Sequence, residues 1–289
     1  MATAAEWVQG ARPRTLGVAV APVLVGTAAA TYGDDIHWWR ALGALVVSLA
    51  IQVGVNYAND YSDGVRGTDE VRRGPIRLTA SKIATPAAVK RAAIISFAVA
   101  AVAGAWLSFA VNPWLLLLGA FCIVAAVGYT GGPKPYGYLG FGELMVLACF
   151  GFAATAGSAY VQTKHVNATT WIGCLVVGLP AVAILLCNNI RDIPTDRIAG
   201  KRTLAVRVGD RPARALYALS MVGTLVAVVA IGVRSPWALV ALVAAPLAVR
   251  PVRIVWRAVD PPSLVRALVA TVGFQLVVSL LLAGGLVKS

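Results

Sequence analysis

Negative charge is the scarcest resource in this sequence: Asp and Glu number 12 among 289 residues, and charged residues of both signs make up only 13%. Soluble domains carry about a quarter. Histidine occurs twice, at His37 and His165, both in expected connections away from the charged stretches, so neither is a promising catalytic base. The four cysteines, Cys122, Cys149, Cys174 and Cys187, lie in apolar runs without a C-x-x-C pair. They read as packing residues, and neither a disulfide framework nor a zinc site is indicated.

What the chain has in quantity is apolar surface: 59% of its residues are hydrophobic, and the mean hydropathy is +0.78. Apolar runs fall near residues 15–33, 41–58, 88–111, 113–129, 140–162, 169–189, 213–233, 236–256 and 264–286. A bilayer span needs about 20 such residues. The expected fold is therefore all-α, a polytopic membrane bundle of about nine transmembrane helices. The first run, in "ARPRTLGVAVAPVLVG", has the basic flank and short apolar core of a signal peptide, but eight more runs follow, so an uncleaved first helix is the better reading.

The net charge of +13 could suggest nucleic acid. The positions of the basic residues argue otherwise. With the N-terminus inside, only Arg40, Lys164, Arg234 and Lys288 of the 25 Lys and Arg residues fall on the outer side, as the positive-inside rule expects. The excess reads as topology, with some left for an anionic ligand, and no nucleic-acid partner is expected.

Half of the 12 acids crowd two stretches. The first, opening with "NYANDYSDGVRGTD", holds Asp60, Asp63, Asp69 and Glu70; the second, "NNIRDIPTDRIAGKRTLAVRVG", holds Asp192 and Asp196. Asn56 precedes Asp60 by four residues and Asn188 precedes Asp192 by four, both pairs offset by 132 positions. The stretches follow the second and sixth runs, which point the same way, so the pattern is a parallel internal repeat. At helical spacing Asn56, Asp60 and Asp63 share a face, as do Asn188 and Asp192, whereas Asp196 beyond Pro194 is expected outside the helix. Asp-rich loops at the cytoplasmic edge of one bundle follow from this layout.

Carboxylates with amide carbonyls are hard oxygen ligands that suit Mg²⁺, usually completed by water and substrate phosphate. The expected metal set is Asn56, Asp60, Asp63, Asn188, Asp192 and Asp196, with the four aspartates as the catalytic acids. Arg66, Arg72, Arg73, Arg77, Lys134, Arg191, Lys201 and Arg202 surround them in the sequence and could balance a diphosphate. Arg66, Lys134, Arg191 and Lys201 are the leading candidates. A solvated cap accounts well for isolated acids such as Asp34, Asp35, Asp210 and Asp260, but poorly for a pattern that occurs twice.

Glu143 lies inside the fifth run, and an intramembrane acid is a functional candidate by default, although an interfacial position is as good a reading. It closes "YTGGPKPYGYLGFGE", a connector with five glycines, two prolines and three tyrosines. A plain turn explains the glycines and prolines but not the aromatics beside Lys134. Tyr129, Tyr136 and Tyr138 could line an aromatic acceptor pocket. Arg12 and Arg14 in "GARPRTL" could bind an acceptor carboxylate or anchor the first helix, and anchoring is preferred.

At these residues the chain resembles the UbiA superfamily of intramembrane prenyltransferases: the first stretch is similar to their N-D-x-x-D motif, the second to their second aspartate motif. "NYANDYSDGVRGTD", "GPIRLTASKIATP" and "YTGGPKPYGYLGFGE" are most similar to the superfamily's naphthoate branch. The resemblance implies transfer of a polyprenyl group from polyprenyl diphosphate to 1,4-dihydroxy-2-naphthoate, with Mg²⁺ and loss of carbon dioxide, giving demethylmenaquinone in a bacterial cell membrane. It carries Asn56, Asp60, Asp192 and Asp196 to the family's metal and diphosphate positions and Asp63 to a further acid. Tyr129 and Lys134 are five apart where many relatives use Y-x-x-x-K, and "GPIRL" stands for the commoner "RPL". The rivals are a relative using 4-hydroxybenzoate or homogentisate and, in another class, an ion-coupled transporter, which would keep its acids near the bilayer midplane.

Overall fold

A chain that must satisfy its backbone polar groups without water has few options, and this one uses helices. The computed structural model describes residues 2–32, 35–67 and 77–289, and among these there is no strand. The α-helices are α1 (Ala4–Gly10), α2 (Gly17–Thr31), α3 (Trp38–Val65), α4 (Pro86–Val111), α5 (Leu115–Thr130), α6 (Gly142–Val146), α7 (Ala154–Thr163), α8 (Ala168–Ile198), α9 (Leu204–Val208), α10 (Asp210–Gly232), α11 (Ala245–Arg257) and α12 (Pro261–Val287). A π-helical segment, Leu147–Ala153, joins α6 and α7 into one apolar rod, and a 3-10 segment, Pro236–Ala244, leads into α11.

Each of the nine expected runs falls on a helix. Seven described helices are long and apolar enough to cross a membrane, and the pair Ala4–Thr15 plus Gly17–Thr31, bent by 49°, makes an eighth if it is one span. α5 has 16 residues, about 24 Å of helix, short of a hydrocarbon core of about 30 Å.

The described acids of the two stretches do not lie in loops. Asp60 and Asp63 are inside α3, which runs on to Val65 and stops where Gly67 takes φ +70°. Asp192 and Asp196 are inside α8, which ends before Gly200 at φ +72°. Both stops are the left-handed glycine that ends many helices. The expected end of the second helix before Asp196 is therefore corrected: α8 passes through Pro194, because Ile190 and Ile193 before it are buried in the core, Asp196 beyond it is buried too, and the packing outweighs the lost backbone hydrogen bond. Asp69 and Glu70 lie outside the described residues.

Two cores result. The larger is built by α2, α8, α10, α11 and α12 around Leu186, Tyr217, Met221, Phe274 and Leu282, with the Tyr217 and Thr271 hydroxyls bonded at 2.6 Å. The smaller packs Tyr57, Leu78, Val89 and Phe97 between α3, α4 and the turn after residue 77. Glycine lets helices meet closely where needed: a Cβ on Gly26 of α2 would lie 2.3 Å from the Thr155 carbonyl oxygen of α7, and one on Gly178 of α8 would lie 2.8 Å from the Cα of Gly151 in the π segment. At one end of the bundle the C-termini of α3, α5 and α8 converge. Ser62 Oγ donates to the Thr130 carbonyl at 2.6 Å, and the Arg202 amide donates to the Tyr138 carbonyl at 2.8 Å.

Candidate active site at the converging helix ends

On α3, Asn59 and Asp63 are one turn apart and face the gap toward α8. Asp63 Oδ1 accepts from the Tyr138 hydroxyl at 2.5 Å and from Lys201 Nζ at 3.0 Å, while Arg77 Nη2 lies 3.8 Å from Oδ2. Lys201 Nζ also sits 4.4 Å above the Tyr138 ring. Burial alone would lower the pKa of Lys201, but the Asp63 charge and hydrogen bond, together with Tyr138 and Asp196, outweigh it and the net shift is upward. Burial, then the same carboxylate, raises that of Tyr138. The Thr130 hydroxyl donates to Asn59 Oδ1 at 2.8 Å.

On α8, Asn188, Asn189, Asp192 and Asp196 follow one another around the helix face toward that gap. Arg191 Nε and Nη2 clamp the two Asp192 oxygens at 2.7 and 2.8 Å. The Asp196 carbonyl accepts the Lys201 amide at 2.8 Å, and its carboxylate takes the Thr203 hydroxyl at 3.4 Å. Asn189 Nδ2 donates to Glu143 Oε1 at 2.8 Å, so the fifth-run acid is buried in protein beside the site rather than at an interface.

These residues enclose a polar chamber of about 110 Å³ lined by Asp63, Asp192 and Asp196, with Arg77 and Lys201 beside them. It adjoins an apolar chamber of about 270 Å³ between α3, α5, the π segment and α8, walled by side chains such as Val47, Ile51, Leu118, Phe150 and Ile184. Arg12, Asn59, Tyr129, Leu185 and Asn188 line both, forming the neck. A charged head in the first chamber and a long apolar tail in the second would place the bond between them at the neck.

Asp63, Asn188, Asp192, Asp196, Lys201, Tyr129 and Tyr138 are thus brought together around the polar chamber. Others are not. Asp60, expected beside a metal, turns both oxygens to the backbone amides of Leu78 and Thr79 at 2.8 and 2.9 Å and does not line the chamber. Asn56 lines the apolar chamber and donates to the Ala11 carbonyl at 2.9 Å. Arg66 lies over Tyr138 and donates to the carbonyls of Thr130 and Gly132; Arg191 is spent on Asp192. Lys134 is exposed and lines neither chamber. The tyrosines do not form one pocket: Tyr138 is in the polar chamber, Tyr129 in the neck, and Tyr136 in the apolar wall with its hydroxyl on the Ala125 carbonyl at 2.6 Å. Arg72 and Arg73 lie outside the described residues.

Asn59 is the residue the sequence reading missed, and its signal was present. Asn59 and Asp63 have the same four-residue spacing as Asn188 and Asp192, at an offset of 129 rather than 132. It is this register that lines the chamber on both sides.

Oxygen donors from two helices facing one small polar space suit Mg²⁺ chemically. Among the described residues no three acidic, histidine or cysteine side chains close around a single ion. That fits an ion completed by water and phosphate rather than by a full protein cage.

The model of the UbiA prenyltransferase family matches residues 19–281. The chain is 51% identical over 255 residues to 1,4-dihydroxy-2-naphthoate octaprenyltransferase of Mycobacterium tuberculosis, covering 86% of each, and 37% identical over 293 residues to the Escherichia coli enzyme of that name, covering 98% of this chain and 95% of the other. Among solved structures, a UbiA homolog from Archaeoglobus fulgidus bound to GPP and Mg²⁺ superposes with a TM-score of 0.66 at 13% identity, over 96% of this chain and 99% of that one, a likeness of fold.

Proposed function

The chain belongs to the UbiA prenyltransferase family, and on that premise we propose that it moves a polyprenyl group from polyprenyl diphosphate onto the carboxyl-bearing carbon of 1,4-dihydroxy-2-naphthoate, releasing carbon dioxide and diphosphate and giving the prenylated naphthalenediol, the reduced form of demethylmenaquinone. The observation that carries this reading is the pair of joined chambers, charged at the helix ends and apolar between α3, α5 and α8. The whole chain acts as one membrane domain, a parallel repeat about the ends of α3 and α8, with those ends on the cytoplasmic side of a bacterial cell membrane.

The diphosphate occupies the polar chamber and the isoprenoid chain the apolar one. Mg²⁺ would be held at the chamber by one or two of the carboxylates of Asp63, Asp192 and Asp196, with water and phosphate oxygens as its other partners, and when bound it supplies neutralisation of the diphosphate charge. Lys201 and Arg77, now matched to Asp63, line the chamber and are positioned to turn onto phosphate oxygens. Asp60 contributes indirectly, by fixing the turn that carries Arg77. The allylic carbon–oxygen bond breaks with its electron pair going to the diphosphate. The electron-rich ring carbon then bonds the allylic carbon at the neck, and the pair from the carbon–carboxylate bond returns to the ring. The apolar wall beside Tyr129 keeps water from the allylic cation, and the tyrosine ring offers it a negative face.

The test is product mass from detergent-solubilised protein given Mg²⁺, farnesyl diphosphate and either 1,4-dihydroxy-2-naphthoate or 4-hydroxybenzoate. A prenyl-naphthalenediol lacking the carboxyl group is expected. Product from 4-hydroxybenzoate alone would keep prenyl transfer and reject the naphthoate.

A further inference from the structure

Among the described residues Arg12 is the one charged residue of the neck, which Asn59, Tyr129, Leu185 and Asn188 also line. We infer that its guanidinium grips the ring carboxylate of the aromatic acceptor and so makes the chain select carboxylated acceptors. The inference rests on the acceptor reading above and names the residue that enforces it.

The backbone shows that this position is imposed. Arg12 has φ 57° and ψ 62°, the left-handed region that glycine fills most easily, and it separates α1 from the 3-10 turn Pro13–Thr15 within the first half of the bent N-terminal pair. The surroundings hold it there. The Ala11 carbonyl accepts Asn56 Nδ2 at 2.9 Å, and the Arg12 carbonyl accepts the Thr15 amide at 2.9 Å and its hydroxyl at 3.0 Å. One turn earlier, the Trp7 carbonyl accepts the Tyr57 hydroxyl at 2.8 Å. Asn56, on the conspicuous acid-bearing helix yet turned away from the acids, thereby has a purpose: it fixes the peptide preceding Arg12.

Charge placement then separates two possible anions. The diphosphate end has its own cations, Arg77 and Lys201, beside the carboxylates of the polar chamber. The acceptor's carboxylate is attached to the carbon that must meet the allylic carbon, so it has to enter the neck, which Arg12 lines. A guanidinium suits a planar carboxylate because two parallel N–H donors meet two oxygens.

The experiment uses Arg12→Gly, which the left-handed backbone tolerates, with Arg12→Lys as the conservative variant. Steady-state constants are measured for 1,4-dihydroxy-2-naphthoate and farnesyl diphosphate, together with the inhibition constant of 1,4-dihydroxynaphthalene, the same ring without the carboxylate. The expected result for Arg12→Gly is a KM for the naphthoate raised roughly 10- to 150-fold, the range for a charged hydrogen-bonded pair. KM for the diphosphate and the inhibition constant of the diol should stay within about twofold, with Arg12→Lys intermediate and added methylguanidinium restoring part of the loss. A rise in the diphosphate KM, a parallel weakening of the diol, or an unchanged naphthoate KM overturns the inference while leaving the naphthoate reading intact. Failure of the unsubstituted protein to prenylate the naphthoate overturns both.

Discussion

The two acid-bearing helix ends use the same spacing and are built in opposite ways. In α8 the apolar window is 67% buried; in α3 it is 33%. Asp192 is clamped by its neighbour Arg191, and Asp196 is held by the residues just beyond its own helix. Asp63 and Asp60 instead depend on Tyr138, Lys201, Leu78 and Thr79, brought from elsewhere in the chain. α8 is thus a template inside the larger core, and α3 is a half-exposed helix whose acids are set in place by the connectors around them. The difference matters because one site is assembled from both.

If the two ends serve one diphosphate, each must be indispensable despite this asymmetry. Asp63→Asn and Asp192→Asn should each lower kcat by about 10²- to 10³-fold, the loss typical of removing one transition-state charge stabiliser, and the double variant should lose much less than the product of the two. Product formation under saturating substrates decides it. A nearly intact Asp63 variant would mean that the template alone carries the chemistry.

Asp60→Asn separates support from function on the α3 side. An amide in place of that carboxylate leaves one backbone N–H facing another donor, a cost of about 1–3 kcal/mol. The thermal midpoint should fall, and activity should return on cooling as the folded fraction recovers. The Asp63 loss should persist at every temperature. Recovery in neither case would place Asp60 among the reacting groups.

A smaller effect is expected where the connectors meet Asp63. Tyr138→Phe removes one donor but leaves Lys201 in place, so kcat/KM should drop about 3- to 10-fold. Tyr138 and Lys201 both have raised pKa values relative to ordinary values of 10.0 and 10.5. The stability each contributes is complete below those values and is lost as pH climbs through them toward the folded values. Thermal midpoints should therefore show no step from this pair between about pH 6 and 9 and decline above pH 10. A step near pH 8 would show that the pair is not matched as described.

Much of this was legible in the sequence, and the rest failed for physical reasons. Nine apolar runs became helices because lipid leaves the backbone no alternative. The two N-x-x-x-D patterns were visible, but α3 contains two overlapping copies, Asn56 with Asp60 and Asn59 with Asp63. Periodicity alone does not choose between copies three residues apart, which share much of a helix face. The choice was made by the turn after residue 77, whose amides claim Asp60. Helix continuation through Pro194 and the left-handed Arg12 are likewise consequences of neighbours distant in the chain. Three tyrosines in one glycine-rich connector suggested one pocket; the 3-10 turn Tyr136–Leu139 and the end of α5 point them into three places.

The smallest expected effect sharpens the comparison most economically. Lys134 sits in the connector after α5 and, like Lys201, is a candidate diphosphate ligand from the sequence, yet it is exposed, whereas Lys201, just past the end of α8, is buried in the chamber. An exposed lysine across solvent from a diphosphate contributes little, because water and salt screen it. Lys134→Ala should leave KM for farnesyl diphosphate within about twofold, while Lys201→Met should raise it by about tenfold or more. If Lys134→Ala had the larger effect, the connector would have to fold over the chamber when the diphosphate binds, and the α3 side would then be completed by substrate rather than held ready. Equal effects would require both lysines on the same phosphates, which an exposed Lys134 outside the chamber lining does not provide.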